Sequence, residues 1–173
     1  ADALVVLADT DQLASVLFQF PSSFKCSHEN FLYLDAICEF FESQRIVLEL
    51  RHASWHNDTT YEYARQRRVS LCSVDAPHLP GLTHNVLYPS RNLLSFRVHG
   101  RNARNWFTGD NVTRYDYTYT EQEIDELVRN ILILADYSEQ VCVFGNNHPR
   151  AQAIETVIAL AHALDNAPAL AAL

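Results

Sequence analysis

With 173 residues and 19.7 kDa, the chain is long enough for one sizeable domain and short for two, so residues 1–173 are read as a single domain. A hydrophobic fraction of 48% with 20% charged residues is a globular composition and excludes a disordered chain. One lysine, Lys25, and twelve arginines against 21 acids leave a net charge of −8, which argues against broad binding to nucleic acid or to an anionic membrane.

In chain order, the sequence opens mid-pattern with Ala1-Asp2-Ala3-Leu4 and holds no methionine, so a segment ahead of residue 1 is expected to be missing. Five short runs rich in Val, Leu, Ile and Phe then read as buried strands, at residues 15–20, 45–50, 69–74, 94–99 and 140–145. Helical patterns lie between and after them, at 28–42, 59–68, 121–136 and 151–164. The first has Phe31, Leu34, Ile37, Cys38 and Phe41 at helical spacing, and the third opens on the capping box Thr120-x-x-Glu123. Near-continuous apolar strands alternating with amphipathic helices predict parallel strands covered by helices, an α/β fold. The alanine-rich tail after Asn166 is expected to fray.

No apolar run approaches the roughly 18–20 residues that span a bilayer, and the first residues lack the basic and apolar regions of a secretory signal. A cytoplasmic protein with no membrane partner is the expectation. Glycine occurs only at 81, 100, 109 and 145, which excludes GxGxxG and GxxxxGK[ST] nucleotide loops. Cys26, Cys38, Cys72 and Cys142 form no CxxC pair and indicate neither a zinc site nor a disulfide framework.

Residues able to do chemistry cluster at the ends of the predicted strands. They are Gln19 after the first, Glu49 with Arg51 and His52 after the second, Asp75 after the third, Arg97, His99 and Arg101 after the fourth, and Asn146 and Asn147 after the fifth. Parallel α/β proteins bind ligands outside the carboxyl ends of their strands. Strand alternation puts Arg97, His99 and Arg101 on one face, and Glu49 with Arg51 opposite His52.

The strings LFQFPSSF (17–24), ENFLYL (29–34), ELRHASW (49–55), Asp75 with Pro77, RVHGRNARNWFTGDNVTRYDYTYTEQEIDEL (97–127) and FGNNHPRAQAIET (144–156) resemble the YecE-like family, domain of unknown function 72. The resemblance runs from about residue 14 to residue 162. It implies a TIM-like (β/α) barrel of unassigned activity. Family members usually begin with about three βα units that this chain does not contain, so the resemblance implies a partial barrel holding the last five of eight strands, with self-association through the exposed edge. Gly145 stands where the family usually has an aromatic or aliphatic residue, and it is expected to loosen that strand end.

Residues 91–114 hold five arginines (91, 97, 101, 104 and 114) and one acid, Asp110. Arginine offers carboxylates and phosphates a planar donor fork, so Arg97 and Arg101, with Arg51, are candidates for binding an anion. The alternative is that they pair with Glu49, Asp75, Asp110 and Asp116. Trp106 and Tyr115 could stack on a ligand or simply pack. His99 is the candidate for proton transfer, tuned by Glu49 or Asp75, and a hydrogen-bonded interior histidine is the plainer reading. Glu49, Asp75 and His99 could hold a metal, but neighbouring arginines would repel a divalent cation, so neither metal nor other cofactor is expected. Asn146 and Asn147 orient a hydroxylated ligand or tie down the following helix.

Three function classes remain. One is an isomerase, lyase or hydrolase acting on an anionic hydroxylated small molecule such as a phosphorylated or acidic sugar. The second is a non-catalytic binding module using the same pocket, and the third is a nucleic-acid-processing protein that grips one phosphate.

Overall fold

Runs of branched and aromatic residues form six strands in the computed structural model, which describes residues 2–167. They are β1 (Val16–Phe20), β2 (Ile46–Leu50), β3 (Ser70–Leu71), β4 (Ser73–Asp75), β5 (Leu93–Val98) and β6 (Gln140–Gly145). Every pairing between them is parallel. β1, β2 and β3 make one three-stranded sheet, and β4, β5 and β6 make another. The expected third strand is therefore two pieces parted at Cys72, so two sheets stand where five adjacent strands were expected. The Cys72 N–H still donates to the Leu48 carbonyl at 2.9 Å, which carries the bonding of β2 through the break.

The helices are α1 (Asp2–Asp9), α2 (His28–Phe40), α3 (Asp58–Arg67), α4 (Asn111–Arg114), α5 (Glu121–Ala135) and α6 (Gln152–Asp165). The sequence pattern did not single out α1 or the single turn α4. Ser27, Asn57 and Asp110 each accept a backbone N–H at a helix start, and Thr120 with Glu123 forms the full capping box of α5. Such a cap typically contributes about 1 kcal/mol. The alanine-rich tail from residue 168 on lies outside the described residues. Among the described residues, no helix is long and apolar enough to cross a membrane.

Alternation along the strands separates two environments. Ile46, Leu48 and Leu50 of β2 pack with Leu34 and Cys38 of α2 and Ala64 of α3, while Leu94, Phe96 and Val98 of β5 pack with Ile124, Leu127 and Ile131 of α5. Full burial of each such side chain contributes about 1.5–3 kcal/mol. The other face carries a separate apolar cluster of Val47, Cys72, Val74 and Leu93, continued toward the carboxyl ends by Glu49 and Arg97. Gly145 does not loosen its strand. A Cβ there would lie 2.8 Å from the Ala153 carbonyl oxygen and 2.9 Å from a Val157 methyl, so the missing side chain lets α6 close onto β6.

Candidate functional site

Glu49 is fully buried and organises the carboxyl ends of the strands. Arg51 Nε donates to its Oε1 at 2.6 Å, Arg97 Nη1 bonds its Oε2, and His99 Nε2 lies 3.2 Å from Oε1. Arg97 also donates to Gln19 Oε1 at 2.5 Å and to Asn146 Oδ1 at 2.6 Å. Arg51 Nη1 reaches the Tyr115 hydroxyl at 3.4 Å. Gln19, Glu49, Arg51, Arg97, His99 and Asn146, drawn from β1, β2, β5 and the turn after β6, thus form one connected group.

Asp75 and Arg101 belong to a second group on the helix-covered side. Asp75 is fully buried and accepts Arg101 Nη2 at 2.7 Å, Arg101 Nε at 3.0 Å and the Tyr119 hydroxyl at 2.5 Å. Arg101 extends to Glu126 of α5 at 3.0 Å and to Glu123 at 3.5 Å. Val74 faces the Cys72 cluster, so Asp75, one residue on, points the other way. The expected face shared by Arg97, His99 and Arg101 ends at Val98, where β5 stops. Gly100 then turns at φ +87°, a conformation that a β-carbon would oppose through Tyr117 Cβ at 2.7 Å, and the turn delivers Arg101 to Asp75.

Charge states follow from these contacts. Burial alone would raise the Glu49 pKa, but the hydrogen bond from His99 and the charges of Arg51 and Arg97 hold it well below the usual carboxylate range. For His99, burial comes first and the two guanidiniums add to it, outweighing Glu49, so its pKa is lowered and the ring is neutral. A neutral ring that donates from Nε2 keeps its lone pair on Nδ1, a buried atom with no hydrogen-bond partner. Burial and the Glu49 charge push the Cys72 thiol up to about 12, so it is no thiolate nucleophile at neutral pH.

Trp106 and Tyr115 roof this group. Their ring centroids lie 6.3 and 6.0 Å from that of His99, and His99 is only 1% exposed. Trp106 also packs with Ala76 and Leu82. Asn147 is turned away from Arg97. Its amide donates to the Tyr117 carbonyl and to Thr156 Oγ1, both at 2.9 Å, which ties the turn to α6. His52 is apart, bonded to Ser54. Among the described residues, no three His, Cys, Asp or Glu side chains gather as metal ligands do.

Tyr119, expected only as one of the aromatic residues flanking the arginine-rich segment, has a specific place: its hydroxyl accepts the Gly100 N–H at 2.8 Å while donating to Asp75. The signal was the alternation of Tyr115, Tyr117 and Tyr119, which carries no mark of which ring turns inward.

The family model described as "Protein of unknown function DUF72" matches residues 1–172. The chain belongs to this family. It is similar to the UPF0759 protein YunF of Bacillus subtilis (strain 168), at 31% identity over 159 residues, covering 84% of this chain and 56% of that protein. Among solved structures, a DUF72 family protein from Thermotoga maritima MSB8 superposes with a TM-score of 0.90 at 33% identity, over 95% of this chain and 63% of that one. One from Enterococcus faecalis V583 gives 0.85 at 30% identity, over 96% and 64%. The chain therefore spans a little over half of the length of YunF and just under two thirds of these two structures.

Proposed function

We propose that the protein binds a small anionic, hydroxylated molecule at the carboxyl ends of its strands through Arg51 and Arg97, and that His99 Nδ1 takes a proton from it. The observation that carries this reading is the charge balance around Glu49. Two guanidiniums meet one carboxylate beside a neutral imidazole, leaving one positive charge in excess. Among the described residues, Arg51 Nη2 and Arg97 Nε make no hydrogen bond within the protein, so each fork keeps a donor for an oxyanion. Glu49, held ionised, accepts the Nε2–H and stabilises the imidazolium that forms when Nδ1 is protonated. Arg101 has no such surplus, because Asp75, Glu123 and Glu126 surround it.

A (β/α) barrel wall is the architecture we attach to this site. Strands lie about 4.8 Å apart, so in a flat sheet β1 would stand about 14 Å from β5. Arg97 of β5 nevertheless bonds Gln19 of β1, and also Asn146 after β6, which supports a strongly concave inner face.

Calorimetric titration with inorganic phosphate tests the binding step. Arg97→Ala is expected to weaken it by roughly ten- to hundredfold, and Arg97→Lys does not restore it, because a point charge lacks the fork. Wild-type affinity in Arg97→Ala contradicts the reading. The burial of His99 favours a second reading, a module that holds its ligand unchanged. Mass spectrometry after incubation with a panel of sugar phosphates separates the two, since conversion supports proton transfer and binding without conversion supports the module.

A further inference from the structure

The opposite end of the strands carries a cavity that the Glu49 group does not use. It has a volume of about 880 Å³, within the range of small-molecule sites. Its walls are mainly apolar and come from Tyr61 and Ala64 of α3, Leu71 of β3 and the Leu87-Tyr88-Pro89 segment. Ser70, which opens β3, and Asn92, just ahead of β5, also line it, so it lies at the amino ends of the parallel strands.

Three arginines, Arg65, Arg68 and Arg91, complete the lining. Arg65 is neutralised by a two-bond pair with Glu62, at 2.7 and 2.9 Å. Among the described residues, Arg68 and Arg91 form no ion pair, so this apolar cavity carries two uncompensated positive charges. Arg68 also occupies the left-handed position that ends α3, at φ 55° and ψ 35°, where glycine is the unstrained residue. Backbone geometry therefore gives no reason for an arginine there.

We infer that this cavity binds a small amphipathic anion, an aromatic or aliphatic body bearing one carboxylate or phosphate. The body lies against Leu71 and Tyr88, and the acid group is held by Arg68 and Arg91. The site is independent of the one proposed at Glu49.

The test is an amide NMR titration with 2-naphthoate and, in parallel, the neutral 2-naphthylmethanol. Naphthoate is expected to shift the signals of residues 69–71 and 87–92 and to bind about tenfold more tightly than the alcohol, the sum of two partly exposed charge contacts. The double variant Arg68→Gly with Arg91→Gln should abolish that preference while its melting temperature is unchanged or higher, which separates loss of the anion contacts from loss of the fold. Equal binding of the two probes, an undiminished preference in the double variant, or shifts absent or centred elsewhere would overturn the inference. Phosphate binding at the Glu49 group should be unaffected by the double variant.

Discussion

Arg97 of β5 forms an ion pair with Glu49 of β2, although these strands are not neighbours and β3 and β4 run between them. The pair joins one three-stranded sheet to the other across the parting at Cys72. A buried carboxylate thus serves as a structural joint and gathers the two guanidiniums, Arg51 and Arg97, at one place.

Removing that carboxylate leaves two guanidiniums side by side without a counter-charge. Glu49→Gln is expected to destabilise the fold by about 3–5 kcal/mol, the usual range for breaking a buried pair. Urea unfolding measures it. A loss below about 1 kcal/mol would match only an exposed ion pair and would mean that Glu49 is not the joint.

Tyr119→Phe separates the two groups. Loss of the buried bond to Asp75, the ion-pair partner of Arg101, should lower stability by about 1.5–3 kcal/mol. Because Asp75 and Arg101 lie on the helix side, phosphate affinity should stay at its wild-type value. A parallel fall in phosphate affinity would show that the two groups act together.

Acid should weaken the fold in two stages. His99 is neutral when folded, with its pKa lowered, so the unfolded chain takes up a proton that the folded chain refuses. Its share of stability is present above the unfolded pKa of about 6.5 and declines as the pH falls below it. Glu49 is also lowered, so its share is present above the unfolded value of about 4.3 and declines below that. Melting temperatures across this range should show His99→Gln flattening the upper stage and leaving the lower one. An upper stage of equal size in His99→Gln would assign it to other histidines.

Gly145→Ala should cost about 1–3 kcal/mol, the range for overpacking, because the new methyl meets the backbone carbonyl of Ala153. A stabilised variant in thermal unfolding would mean that α6 is free to move away.

Much of the architecture was legible in the sequence because the strands are written as apolar runs, most fully in β2 and β5, which are buried almost throughout, and β6 has the bounds that its pattern predicted. Helices α2, α3, α5 and α6 were legible from their spacing and caps. The parting of the third strand was not, since Cys72 lies inside the predicted run of residues 69–74 and packs with Val47, Val74 and Leu93 as a strand residue would. At the site, the nearness of Glu49, Arg51, Arg97 and His99 followed from strand-end position and alternation. The departure of Arg101 did not follow, because it depends on where β5 stops and on the positive φ of Gly100, and that of Asp75 is set by its place one residue after Val74 in β4. The roof of Trp106 and Tyr115 lies in a long loop that carries no periodicity to read.

The most direct test of the central claim observes the arginine side chains themselves. In an NMR titration with inorganic phosphate, the Arg97 Nε–H signal should shift saturably, and Arg51→Ala should weaken that response roughly tenfold or more. An Arg97 Nε–H signal that stays in place while phosphate saturates the protein elsewhere would contradict the account.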